Sequence, residues 1–136
     1  MNGQGPYTHK MDSILLFDSS SQLIKKRENI FDANNNTTSM MLSDWNTIAT
    51  TWDDSEKYGY IYDINNNVIV CTLSYWNMNT FTWEQELKLD YTYDINNNLI
   101  VFTVSYWNTS TTTWDVISKS EYTYDINDNR TVDVQY

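Results

Sequence analysis

The sequence predicts an all-β protein, an antiparallel β-hairpin meander of about nine strands that forms an open twisted or curled sheet or a barrel-like one. Three observations predict it. A six-residue phrase recurs on a fixed 31-residue step: Tyr62-Asp63-Ile64-Asn65-Asn66-Asn67, Tyr93-Asp94-Ile95-Asn96-Asn97-Asn98 and Tyr124-Asp125-Ile126-Asn127-Asp128-Asn129, with a divergent copy at Phe31-Asp32-Ala33-Asn34-Asn35-Asn36. Two tryptophan series, Trp45, Trp76, Trp107 and Trp52, Trp83, Trp114, keep the same step. Aromatic residues are abundant, with 11 Tyr and 6 Trp, while 3 Gly and 1 Pro leave the turns to Asn and Asp.

Each 31-residue unit reads as two strands and two reversals. Leu99 to Trp107 is apolar and β-branched, Trp114 to Tyr124 is its partner, and the polar run Asn108 to Thr113 links them. The other reversal is the Asp-Ile-Asn-Asn-Asn segment. A type I turn followed by one left-handed residue closes a three-residue hairpin loop. Asp94 would start it, with its carboxylate accepting a backbone N–H, and Asn97 would take the left-handed position, which Asn tolerates best after Gly. Phe17-Asp18 reads as a further turn, 14 residues before Phe31-Asp32, in a hairpin shortened by deletion. The predicted strands are 11–17, 22–31, 37–45, 52–62, 68–76, 82–93, 99–107, 113–124 and 129–136.

The repeat sets the organisation. Residues 1–10 are expected to be a flexible N-terminal segment, and 11–136 a single domain made of a partial unit 11–30, repeats 31–61, 62–92 and 93–123, and a partial unit 124–136. Residues 62–92 and 93–123 are identical at 19 of 31 aligned positions, and 31–61 and 62–92 at 12, so the array diverges toward its N-terminus.

Unbroken alternation assigns the faces. It places Tyr91 opposite Val101 and Leu99 opposite Tyr122, and so gathers Trp76, Trp83, Tyr91, Tyr93, Trp107, Trp114, Tyr122 and Tyr124 on one aromatic face. Val132, Val134 and Tyr136 join that face, and the clean alternation of the last strand marks it as the expected inside.

The segments resemble a known pattern. Tyr-x-Tyr-Asp-Ile-Asn-Asn-Asn, followed by Tyr-Trp-Asn and Thr-x-Trp, is similar to the tandem Tyr-x-Tyr-Asp-x-Asn-Gly-Asn repeats of secreted Bacteroidetes proteins, flavobacterial ones especially, and more distantly to the YD repeats of Rhs and teneurin proteins. The likeness runs over roughly residues 11–136 as a repeat grammar. It departs at the glycine, where Asn35, Asn66, Asn97 and Asp128 stand. It implies β-hairpins, export, and an extracellular or cell-surface role for a chain whose leader is gone. It transfers no catalytic residue.

Composition bounds the function. With 8 Lys plus Arg against 18 Asp plus Glu the net charge is −10, which repels nucleic acid and anionic membrane surfaces. No apolar run is long enough to span a membrane, and the N-terminus lacks the apolar core of a signal peptide, which implies either a cytoplasmic protein or a mature or recombinant form whose leader is gone. Cys71 is alone, so it forms no internal disulfide and reads as a small strand residue. His9 is the single histidine, which leaves no nucleophile–base pair or histidine-rich metal site. Catalytic residues and metal sites are expected to be none, and carboxylates such as Glu84 and Glu86 read as a solvated strand face.

The candidate sites are of other kinds. Asp63, Asn65, Asn67, Asp94, Asn96, Asn98, Asp125, Asn127 and Asn129 share the opening spacing of a calcium loop. That loop also needs a glycine at its sixth position and a glutamate at its twelfth, where Val68 or Leu99 and Ser74 or Ser105 stand, so a side-chain-stabilised turn is the expected role and no cofactor is expected, with calcium the alternative. Trp76 and Trp107, at loop ends, are the candidate glycan platforms. Ser13, Asn35, Asn36 and Asn108 are candidate glycosylation sites, Ser13 within Asp12-Ser13-Ile14, a segment similar to a Bacteroidetes O-glycosylation signal.

The expected function is a non-catalytic extracellular structural or self-assembling module, part of a surface layer, fibre or adhesin. Its expected partner is itself, through edge strands, with Arg130 to Tyr136 adding tail to head. The alternative is an adhesion module binding glycans or other surface proteins.

Overall fold

A computed structural model describes residues 11–136, with side chains from Ser13 onward. The expectations for residues 1–10 and His9 lie outside the described residues. Nine strands follow one another: β1 Met11–Phe17, β2 Leu23–Phe31, β3 Thr37–Asn46, β4 Thr51–Tyr62, β5 Val68–Asn77, β6 Thr82–Tyr93, β7 Leu99–Asn108, β8 Thr113–Tyr124 and β9 Arg130–Gln135. They form one antiparallel meander in the order β1 to β9. The all-β, nine-strand expectation holds, as an open sheet and not as a barrel. β1 and β9 stand at its two ends, each paired on one side only among the described residues. The chain divides into two compact units, one reaching to Gly59 and taking in Tyr75–Glu84, the other made of Tyr60–Ser74 and Gln85–Tyr136.

The Asp turns close as their residues dictate. The Asp94 N–H donates to the Asn98 carbonyl at 2.9 Å, the Asn97 N–H donates to the Asp94 carbonyl at 3.1 Å, and Asn97 is left-handed at φ 66°. Asn35, Asn66 and Asp128 hold the same place at φ 67°, 65° and 60°. Ser21 does so at φ 62° in the Asp18 turn, where the Asp18 N–H donates to the Gln22 carbonyl. The shortened first hairpin therefore uses the same turn chemistry as the full repeats.

The face assignment needs correction, because the strands carry β-bulges. Between β6 and β7, Tyr93 faces Leu99 as expected, but Thr92 faces Val101 and Tyr91 faces Phe102. Between β7 and β8, Trp107 faces Trp114 and Ser105 faces Val116, but Val104 faces Ser118, so Leu99 does not face Tyr122. An extra residue slips the register by one and exchanges the faces beyond it. Tyr91 thus lies with Phe102, their rings 5.1 Å apart, while Trp107 and Trp114 lie on the opposite side of the sheet with Ser105. In this unit Tyr91, Phe102 and Val104 share one face, and Lys88, Ser105, Trp107 and Trp114 the other.

The expected inside is also corrected. No hydrophobic residue is buried among the described residues; the buried ones are Asn29, Ser43, Ser105 and Ser120. Val132 and Val134 remain 45% and 38% exposed. A clean alternation in β9 marks two different faces, neither of which is an interior. What holds the strands is the backbone ladder and cross-strand side-chain pairs, each contributing roughly 0.2–1 kcal/mol.

Candidate functional site

Three repeating constructions carry the chemistry of this sheet. The first is a lysine–tryptophan stripe. In the first unit the Lys26 ammonium lies 5.6 Å from the Trp52 ring centroid and the Lys57 ammonium 6.0 Å from that of Trp83. In the second unit Lys88 lies 5.9 Å from Trp114. Lys26 pairs across the strands with Ser43, and Lys88 with Ser105, the two most buried side chains, at 0% and 2% exposure. A serine there leaves room for the lysine stem to cross the middle strand and reach a ring two strands away. Lys119 finds the Tyr136 ring at 5.9 Å, and its ammonium donates to Glu121.

The tryptophans themselves meet edge to face. Trp45 and Trp52 are 5.0 Å apart at 65°, Trp76 and Trp83 5.3 Å at 63°, and Trp107 and Trp114 5.1 Å at 67°. Trp76 and Trp107 are half-buried, so each offers less open ring than a free platform would. Beside Trp107 lies an open depression of about 360 Å³ lined by Tyr106, Trp107, Asn108, Thr109, Asp115 and Ile117.

The second construction is the turn row. Asp63 Oδ1 accepts the backbone N–H of Asn65 and of Asn67, each at 2.8 Å, and Oδ2 accepts the Asn67 side-chain amide at 3.0 Å. Asp94 does the same with Asn96 and Asn98, and Asp125 with Asn127 and Asn129. The carboxylates thus face amide donors of their own turns. These bonds, the backbone N–H of Asn98 first, hold the Asp94 carboxyl below its ordinary range, and Asp125 is lowered chiefly by the backbone N–H of Asn129. At Asp63 desolvation works against the lowering, and the hydrogen bonds from Asn67 and Asn65 prevail.

Adjacent turns are also tied together. The Asn65 and Asn67 amides donate to Asn97 Oδ1 at 3.1 and 2.9 Å, and the Asn98 amide donates to Asp128 Oδ1 at 2.8 Å. At the tips of these turns Ile64, Ile95 and Ile126 are 96–98% exposed. Behind the turns, the Tyr93 hydroxyl donates to the Val68 carbonyl at 3.1 Å and the Tyr124 hydroxyl to the Leu99 carbonyl at 2.9 Å. These bonds give Tyr93 and Tyr124, the tyrosines of two of the recurring phrases, a role at the start of the preceding strand.

The third construction closes the opposite loops. Asn46, Asn77 and Asn108 each accept two backbone N–H groups through Oδ1. Each donates through Nδ2 to an acid seven residues on, Asp53, Glu84 or Asp115. Glu84 is therefore a loop clasp as well as a solvated residue. Thr50, Phe81 and Thr112 take left-handed φ values of 54°, 55° and 56° in these loops, a costly place for a side chain with a Cβ.

The glycosylation candidates fall differently. Ser13 and Asn35 are exposed. Asn36 and Asn108 are half-buried and spend their amide nitrogens on Asp32 and Asp115. Cys71 is half-buried, and burial pushes its thiol up, away from nucleophilic use. The lysine series, the clasp acids and the bulges escaped the sequence reading. Lys26, Lys57, Lys88 and Lys119 keep the 31-residue step, and so do Asp53, Glu84 and Asp115, so both series were there to be found.

No protein-family model matches the chain, and no curated protein matches it. Among solved structures the fold is similar to that of a DUF3836 family protein from Bacteroides vulgatus ATCC 8482, with a TM-score of 0.53 and 20% identity over 79% of this chain and 90% of that one. It is similar also to a protein of unknown function from Bacteroides fragilis NCTC 9343, with a TM-score of 0.52 and 16% identity over 84% of this chain and 93% of that one. Both likenesses are of fold alone.

Proposed function

We propose that this chain is a non-catalytic structural repeat module that works outside the cell and associates with copies of itself. The observation that carries the reading is the sheet without a buried hydrophobic residue among those described. A sheet with apolar side chains open on both faces and two edge strands presents surface for association and little enclosed volume for chemistry. The lone cysteine, with its thiol pushed up by burial, agrees with a non-catalytic role. Export is supported by the likeness of the repeat phrase to secreted Bacteroidetes repeats. Sedimentation of the purified chain from micromolar to millimolar concentration, with electron microscopy of the same samples, tests the reading. Association that grows with concentration is expected, and a strict monomer throughout would overturn it.

A second reading is favoured by the depression beside Trp107, which Tyr106, Asn108 and Asp115 also line. A neutral sugar suits such a mixture of aromatic face and hydrogen-bonding groups. Glycan-array binding that is lost in Trp107→Ala, with the far-ultraviolet spectrum unchanged, is the expected result under this reading. Binding that survives the substitution would remove it.

A further inference from the structure

The two ends of the sheet are not equivalent, and the difference selects a mode of association. We propose that the β1 edge pairs antiparallel with the β1 edge of a second copy around a two-fold axis, giving a closed dimer. This rests on the self-association reading above and names the surface it uses.

Strand sense supplies the first argument. β1 pairs antiparallel with β2, and that alternation continues past β1 only if an added strand runs opposite to it. A two-fold axis normal to the sheet at β1 sets β1 against β1 antiparallel and keeps like faces together.

The side chains supply the second. Ile14, Leu15, Leu16 and Phe17 are 36%, 47%, 44% and 55% exposed in an edge strand with no charge along that run. Such an edge is a template for a further strand. β9 carries Arg130 and Asp133, 3.6 Å apart, and charged edge residues oppose strand addition. A register centred on Leu15 sets Ile14 against Leu16 of the second copy and Leu16 against its Ile14, so apolar side chains meet apolar ones. Ile14 and Leu16 already border a groove of about 430 Å³ with Lys25, Arg27, Met40 and Leu42, which a second copy would lengthen.

Charge supplies the third. Residues 11–31 hold Lys25, Lys26 and Arg27 against Asp12, Asp18 and Glu28, so 3 − 3 = 0. Residues 113–136 hold Lys119 and Arg130 against Asp115, Glu121, Asp125, Asp128 and Asp133, so 2 − 5 = −3. In a chain of net charge −10, the β1–β2 end can meet its own copy without net repulsion, and the β8–β9 end cannot.

The test compares the full chain with Leu15→Lys and Val132→Lys by light scattering coupled to size exclusion. A mass twice the 16.1 kDa of the chain is expected for the parent and for Val132→Lys, and a monomer for Leu15→Lys with an unchanged far-ultraviolet spectrum. Cross-linking provides the second measurement, because facing Cα atoms of an antiparallel pair lie within disulfide range. Leu15→Cys in a Cys71→Ser background should oxidise to a covalent dimer, and Val132→Cys in that background should not. If the parent associates but Leu15→Lys associates equally and Leu15→Cys does not cross-link, the edge assignment falls while self-association stands. A monomeric parent overturns both.

Discussion

The Lys88 ammonium sits 5.9 Å from the centroid of the Trp114 ring, having crossed the strand between them above Ser105. The same relation joins Lys26 to Trp52 and Lys57 to Trp83, always 26 residues apart in sequence. It ties each even-numbered strand to the next even-numbered one, a contact that backbone hydrogen bonding cannot make. Stability in this sheet should therefore include coupling between strands that are not neighbours.

A double-mutant cycle of Lys88→Met and Trp114→Leu measures that coupling. An interaction of about 0.5–1 kcal/mol is expected, the range of an exposed cation–π contact. Urea titrations of the four proteins check it. The coupling should weaken modestly as salt is raised, because the ammonium is partly solvated.

The loop residue Thr112 holds φ 56°, a left-handed angle that a β-branched residue adopts at a cost. Replacing it with glycine removes that strain but adds freedom to the unfolded chain. A net stabilisation of about 0.5–1 kcal/mol is expected for Thr112→Gly. Asn97→Gly should gain less, since Asn tolerates the left-handed region. Denaturant midpoints of the two variants, compared with the parent, check the order.

Asp94 and Asp125 have carboxyl groups held below the ordinary value of 3.8 by turn hydrogen bonds. A group with a lowered folded-state value stabilises the fold fully above its unfolded value and loses that contribution as pH falls through the folded one. Thermal midpoints should therefore be level from pH 7 to about pH 5 and fall below about pH 4. Asp94→Asn with Asp125→Asn should shrink that acid-side fall, because the substituted turns no longer take up the protons.

Much of this fold is legible in the sequence, and the reason is the period. The Tyr-Asp-Ile-Asn-Asn-Asn phrase marks every second reversal, and Asn97 takes the left-handed angle that its place in the turn demands. Strand ends differ from the reading by one residue: Gln22 and Asn129 close the Asp18 and Asp125 turns through their carbonyls, so β2 begins at Leu23 and β9 at Arg130. The faces were not legible. Counting by twos assumes an unbroken strand, whereas one extra residue opposite Tyr93 and another opposite the Val104–Ser105 step each exchange the sides. Nothing local announces those bulges. The lysine series would have: Lys88 can reach Trp114 only if it shares a face with Ser105, which unbroken alternation does not allow on both strands. The roles of Trp76 and Trp107 were legible only in part, because the edge-to-face partners Trp83 and Trp114 cover the rings from the side.

Each repeat pairs only with its neighbours and carries its own turn, clasp and ring contacts. Deleting one whole unit, residues 62–92, rejoins Ile61 to Tyr93 and restores the same phrase at the junction. The shortened chain should fold to the same β-type far-ultraviolet spectrum. Its dependence of unfolding free energy on urea should fall by roughly a quarter, in proportion to the surface removed. A deletion variant that is unfolded in the absence of urea would show that the repeats do not stack as self-contained units.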